Sequence, residues 1–495
     1  MISRIKASPN FKWWVFGTIG IGTFLSVVDH GSVLVALPSI ERHFSTDLPT
    51  VQWIVVGYAL AISVLILPMG RLGDIIGRKK VYVGGMVIFV AAAALAGTSP
   101  NLGSLIGAKV FQGVGSAMVQ SSGIAMVISS FPGTERGKAL GTHLSVVGAG
   151  AIAGPVIGGL LVSIFDWRWV FFANVPIGIF TIAISMLILP LDKPELPEGE
   201  AQQRFDWGGA VLSGLALLAF LLVVGNGDRV GWTSGITFFG TAVTVSASAA
   251  FIWWELRSAS PMLDMRLFKR KLVALGVAAG WFSFLGSSAA RFMMPFYLQR
   301  VLEFSPWEVG RLLIAPALCL VLVGPFSGRL SDRFGWRALT VGGLTLSATA
   351  WFIMAITLTE SSSVLLIVMM LMLQSTGTAL FNSPNNSSIL SAVDRSQYGV
   401  VSALTQLVRN SANVTSIAIA TTVVVVTMGA RGVEPSLDAV SPAVAGAFVA
   451  GLRWAFWMMG GLLLVGITIA VLRGERPKPA PAARSESVAA EPASD

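Results

Sequence analysis

Fourteen mainly apolar stretches, most of them close to twenty residues long, follow one another through this sequence, and no water-soluble core could bury them all. They lie near 13–37, 51–69, 80–98, 102–125, 138–163, 169–190, 207–225, 235–255, 272–298, 307–327, 337–358, 362–384, 398–428 and 448–472. A helix of about 20 apolar residues crosses the hydrocarbon layer of a bilayer. Lipid offers no hydrogen-bond partner to the backbone, so each span has to satisfy itself as a helix. Only 12% of residues are charged, against roughly 25% in soluble proteins. The expected fold is an all-α polytopic membrane protein.

Charge placement gives the topology. With fourteen spans and both termini on one side, and basic residues near a span end counted with the adjoining loop, that side holds 24 Lys and Arg, the other holds 7, and three fall deep within spans. Basic loops stay cytoplasmic, so both termini are expected in the cytoplasm, at a cell membrane of the bacterial inner-membrane type. The net charge of +9 is spread over these short loops rather than gathered on a phosphate-binding face, which argues against nucleic acid. The single Cys319 excludes a disulfide framework. His30, His43 and His143 lie far apart, without the spacing of a metal site. No cofactor is expected.

An internal repeat divides the chain. Residues 70–80 read GRLGDIIGRKK and residues 328–338 read GRLSDRFGWRA, each following the second span of a set of six, 258 positions apart. That separation exceeds a six-helix set by about 80 residues, room for two more spans with their loops. The expected plan is a six-helix bundle in 1–190, a linker with two inserted spans in 191–271, a second bundle in 272–475 and a disordered cytoplasmic tail in 476–495.

The first glycine-rich stretch resembles the signature loop between helices two and three of the major facilitator superfamily. Gly70, Gly73 and Gly77 permit a close, tight turn. Asp74 suits a helix N-terminus and can pair with Arg78. The resemblance implies a conformational latch between bundles, with Asp332 and Arg333 at the corresponding place in the second copy. Gly141, Gly150, Gly154, Pro155, Gly158 and Gly159 resemble the superfamily's antiporter motif in helix five. Small residues at this spacing also make a flat face for close helix packing, and Pro155 can bend the helix. The run from Trp167 to Pro176, and Asp29 followed by Ala36-Leu37-Pro38, resemble the fourteen-helix drug:proton antiporters of that superfamily. The chain departs from them at Lys109, where Arg is usual, and after Asp29, where the usual hydroxyl is shifted or lost.

Ionisable residues within spans are costly and mark pathways. Asp29, Lys109, Arg291 and Arg409 are the candidates, with Asn385 beside Pro384 as a polar addition. Asp29 is either a proton and substrate site or one partner of a structural ion pair. Arg291 either lines the cavity or snorkels to the interface. Asn385 either lines a polar cavity or satisfies a broken helix end. One acid against three bases suits an anionic or amphiphilic substrate, whereas drug antiporters of this type commonly handle lipophilic cations.

Residues 133–139 miss the phosphate-loop pattern by one residue and by Ala139, so nucleotide hydrolysis is not expected. The chain is expected to be no enzyme. The expected function is proton-coupled export of small lipophilic or amphiphilic compounds by a monomer, as in multidrug efflux. The alternative is a facilitator or exporter of a specific metabolite, lipid or anionic amphiphile, not necessarily proton-coupled. Small molecule, protons and bilayer are the expected partners.

Overall fold

The computed structural model describes residues 10–46, 51, 53–190, 205–258, 261–304, 306–394, 397–433 and 444–474. The side chains of Pro38, Thr134, Asp228, Arg229, Arg291, Pro306, Trp307 and Asp332 lie outside that description, as do the tail 476–495 and most of the polar stretch after residue 190. Among the described residues, fourteen helices are long and apolar enough to cross a membrane. The first six are α1 (Phe11–Phe44), α2 (Trp53–Ile76), α3 (Arg78–Gly97), α4 (Leu102–Ser130), α5 (Arg136–Ile164) and α6 (Trp169–Ile188). An inserted pair follows, α7 (Trp207–Val230) and α8 (Gly235–Arg257). The last six are α9 (Lys271–Phe296), α10 (Pro306–Phe334), α11 (Arg337–Thr357), α12 (Val364–Leu390), α13 (Tyr398–Ala430) and α14 (Ala445–Leu472). Every span anticipated from hydropathy is there. Several helices run on beyond their apolar stretch, α2 through the glycine-rich motif to Ile76 and α10 to Phe334. Helical hydrogen bonding continues into the interfacial layer after the hydropathy has fallen.

The two sets of six repeat each other's packing. α1 lies on α5 as α9 lies on α13, α2 on α4 as α10 on α12, and α3 on α4 as α11 on α12. The repeat extends to single residues. Gly85 stands where a Cβ would come within 2.8 Å of the Gly115 carbonyl, and Gly343, 258 positions on, stands 2.6 Å from the Gly377 carbonyl in the same sense. Backbone meets backbone at both crossings because no side chain intervenes. The sets meet through α5 with α10 on one flank and α2 with α13 on the other.

The inserted pair is not merely appended. α7 touches both α2 and α13 and so covers the second flank, while α8 lies outside it. α8 presents Ile236, Phe238, Phe239, Val245, Trp253 and Leu256 outward, the largely apolar exterior of a lipid-facing helix. At one end of the pair, the Trp232 indole N–H donates to Thr422 Oγ1 of α13 at 3.1 Å. At the other, Asp206 caps α7 by accepting from the Gly209 N–H at 2.8 Å.

The two ends of the molecule differ. At the end carrying the glycine-rich motifs, hereafter the motif end, one core joins both sets. Tyr58, Ile66, Leu67 and Leu140 pack there with Leu390, Tyr398, Val401 and Leu404, and with Met262, Leu263 and Leu267 from the segment before α9. At the opposite end the cores are separate. Val33, Ile40, Trp167 and Phe171 form one, while Met294, Tyr297, Trp351 and Phe456 belong to the other. The molecule is closed at the motif end.

Candidate functional site

Asp29 of α1 and Lys109 of α4 come together inside the first set, each only 1% exposed. Lys109 Nζ lies 2.8 Å from Asp29 Oδ2 and also donates to Gln112 Oε1 at 2.5 Å. The other Asp29 oxygen, Oδ1, accepts from Asn174 Nδ2 of α6 at 2.8 Å. The ammonium stands 4.5 Å from the ring centre of Tyr58 and 5.6 Å from that of Phe171, within cation–π range. Tyr58 in turn shares a 2.7 Å hydroxyl bond with Ser116. Four helices thus supply partners to one ion pair. Burial of two charges is tolerated only where partners replace water so completely. His30 does not join the pair. It stands on the next face of α1, within electrostatic reach of both charges, and stacks on Tyr58 at 6.1 Å.

The motif residues form a second constellation at the motif end. Gly73 lies within α2 rather than in a loop, and the turn is made at Gly77, whose φ of 101° favours glycine. Asp74, in the last turn of α2, takes Arg78 Nε on Oδ1 at 3.0 Å. Its Oδ2 accepts the backbone N–H of Val400 at 3.1 Å. Val400 is in the first turn of α13, so a carboxylate of the first set caps a helix of the last set. Gly70 beside Ala403, and Gly399 beside the Asp74 carboxylate, make room for this approach. In the second copy Gly335 repeats the turn with φ 88°. Gly328 repeats the crossing, against the carbonyl of Gly137. Arg333 is exposed, 5.4 Å from the Phe334 ring centre, and the Asp332 side chain lies outside the described residues.

The six helix-five residues divide between two seams. Gly141 faces Gly324 of α10, across the sets. Gly150 faces Val27, Gly154 faces Gly31 and Gly158 faces Ser32, all on α1, and Ser32 Oγ donates to the Gly154 carbonyl at 2.7 Å. Pro155 places its Cδ 3.0 Å from where a Cβ on Gly31 would stand. Gly159 is looser, with only Val35 at 3.9 Å. The α1–α5 seam therefore runs directly alongside Asp29.

The remaining candidates lie elsewhere. Arg409 of α13 is within electrostatic reach of His143 of α5, across the gap between sets. Arg291 lies in α9, its side chain outside the described residues. Asn385 does not join the Asp29 group. Its Oδ1 accepts from Arg473 at 2.5 Å and its Nδ2 donates to the Gly276 carbonyl at 3.1 Å. Arg473, just past α14, also donates to Ser388. Burial pulls its guanidinium down to about 10 from its ordinary value. Sequence reasoning did not single out Asn174, Gln112 and Tyr58 as partners of the ion pair. Gln112 carried a signal, lying one turn from Lys109 on the same helix face. Asn174 lies in the Trp167–Pro176 run that resembles the family, although nothing in that run pointed to Asp29; Tyr58, from another helix, carried no signal.

Two pseudo-symmetric six-helix sets, closed together at one end around buried charge, define a secondary-active transporter of small molecules, a transport fold and not an enzyme. The chain belongs to the Major Facilitator Superfamily, whose family model matches residues 19–416. It is 32% identical over 399 residues to the riboflavin transporter RibZ of Clostridioides difficile, covering 81% of this chain and 85% of that one. It is 30% identical over 424 residues to the multidrug resistance protein Stp of Mycobacterium tuberculosis, covering 86% of this chain and 78% of that one. Among solved structures, the human organic anion transporter MFSD10 superposes with a TM-score of 0.68 at 15% identity, covering 94% of this chain and all of that one, a likeness of fold alone.

Proposed function

We propose that this transporter moves a specific small organic metabolite or anionic amphiphile across the membrane by alternating access. The carrying observation is that the Asp29 carboxylate is already occupied, by Lys109 on one oxygen and Asn174 on the other. A lipophilic cation would have to displace Lys109 to use it. Arg409 adds positive charge between the sets, which suits a substrate bearing a negative group. With the basic loops in the cytoplasm, the motif end is cytoplasmic and the closed state described above faces outward. The rocking bodies are 1–190 and 272–475, joined by 191–271 with its inserted pair, with 476–495 as a cytoplasmic tail. Asp74, Arg78 and the α13 N-terminus act as the latch of the closed state, and Gly141 belongs to the seam that opens with it.

A second reading, proton-coupled efflux of lipophilic drugs, draws support from the same pair and from the likeness to Stp. A proton arriving on Asp29 would dissolve its bond to Lys109 and free both groups, coupling protonation to rearrangement of α1 against α4. Reconstituted protein with a trapped pH dye separates the two. Flux of riboflavin or an anionic amphiphile, with no response to a lipophilic-cation panel, is the expected result. Proton movement driven by the cations and abolished in Asp29→Asn would overturn it in favour of the second reading.

A further inference from the structure

The inserted pair contains a buried acid cluster for which neither transport reading has a use. Asp206, the cap of α7, is 8% exposed, and Glu255, near the end of α8, is 3% exposed. Solvation at a membrane boundary, the ordinary expectation for both, does not describe them. Each carboxylate has one satisfied oxygen. Asp206 Oδ1 accepts from the Gly209 N–H and from the Trp254 indole N–H, both at 2.8 Å. Glu255 Oε2 accepts from the Leu263 N–H at 3.1 Å. Each also has one oxygen, Asp206 Oδ2 and Glu255 Oε1, buried without a hydrogen-bond partner. The two orphans converge. A Cβ on Gly209 would stand 2.8 Å from the first and 2.5 Å from the second, so both oxygens border the same small space beside that glycine.

Two unpartnered carboxylate oxygens facing one point repel each other. The other charged group acting on Glu255 is Arg71 of α2, whose Nε is itself buried without a partner. Two carboxylates and one guanidinium leave one negative charge. A single proton held between the carboxyls cancels that charge and gives each orphan oxygen a bonding role.

We propose that Asp206 and Glu255 form a proton-binding site, sharing one proton between Oδ2 and Oε1, and that this site biases the latch through Arg71. Arg71 lies on α2, which packs against α7, one turn before Asp74 on the same helix face, and it acts electrostatically on both Glu255 and Asp74. When the proton leaves to solvent, the cluster gains a negative charge and holds Arg71 toward the insert. When the proton returns, Arg71 is released to Asp74, and the closed motif end is favoured. This site is independent of which substrate the transporter carries.

Infrared titration of the intact protein in lipid nanodiscs, from about pH 5 to pH 8, reads protonated carboxyl groups directly. A protonated-carboxyl band is expected in wild type, lost in both Glu255→Gln and Asp206→Asn, and retained in Asp29→Asn. Loss in only one of the first two variants, or in neither, overturns the shared proton. Absence of the band in wild type, with stability rising on addition of sodium, replaces the proton by a metal cation. Coupling to the latch is read by spin labels at the exposed positions Ile76 and Ser391, in a Cys319→Ser background. Their distance should shift with pH in wild type and lose that shift in Glu255→Gln. A shift retained in the variant overturns the coupling. None of these readouts requires flux, so failure of the transport reading leaves them interpretable.

Discussion

Removing one member of the Asp29–Lys109 pair should be far more damaging than removing both. Lys109→Met leaves Asp29 fully buried with Asn174 as its remaining polar contact. Breaking a buried pair in this way costs about 3–5 kcal/mol. Asp29→Asn leaves the ammonium with Gln112 Oε1 and two aromatic faces, which retain part of its stabilisation. Its cost should therefore sit near the lower figure, about 3 kcal/mol. The double variant removes both charges, and the introduced methionine fills an apolar space beside Phe171. It should lie within about 1 kcal/mol of wild type. A coupling energy of about 5 kcal/mol or more follows, measured by equilibrium unfolding in mixed micelles across the four proteins. The double variant should also be folded and inactive in the liposome assay. Single costs that add in the double variant to within about 0.5 kcal/mol would refute the pair as a unit.

Gly328→Val should push its side chain against the Gly137 carbonyl and destabilise the closed motif end by about 1–3 kcal/mol. Thiol labelling of cysteines placed along α5 would report the shift as roughly a 5- to 150-fold rise in the open population. Asp74→Ala removes the cap on Val400 and the partner of Arg78 together, and the same labelling should show opening at the motif end with the fold intact. Arg473 gives a pH prediction. Its pKa is lower folded than unfolded, so the unfolded chain binds more protons as pH passes through about 10, and stability contributed here rises with pH. Thermal melts of wild type against Arg473→Met should differ by that increment above about pH 10 and run parallel below it.

The span count was legible because lipid imposes one length and one secondary structure on every crossing. The repeat was legible because both copies keep Gly70 or Gly328 at a backbone crossing and Gly77 or Gly335 at a turn of positive φ. Asp29 and Lys109 stood out by their charge, but their pairing could not be read, since 80 residues separate them. Asn385 shows the opposite limit. Its polarity within a span suggested a central cavity, and its partner proved to be Arg473, 88 residues on and outside any apolar run. The inserted pair was legible only as two extra spans within 191–271. Its bridging position depends on contacts of α7 with α2 and α13, which no local pattern encodes.

Where the two sets meet along α5 and α10, Gly137 faces Gly328 and Gly141 faces Gly324, main chain on main chain. Two crossings without interlocking side chains behave as a bearing. The halves can part there without any rotamer having to change, so little friction opposes the start of the stroke. What holds the stroke back is then a set of ties at the same end: the apolar core shared by the two sets, and the hydrogen bonds joining Asp74 with Val400, Ser383 with Gly137 and Ser145 with Val321. The rate of opening should accordingly follow the strength of those ties rather than the area of the seam.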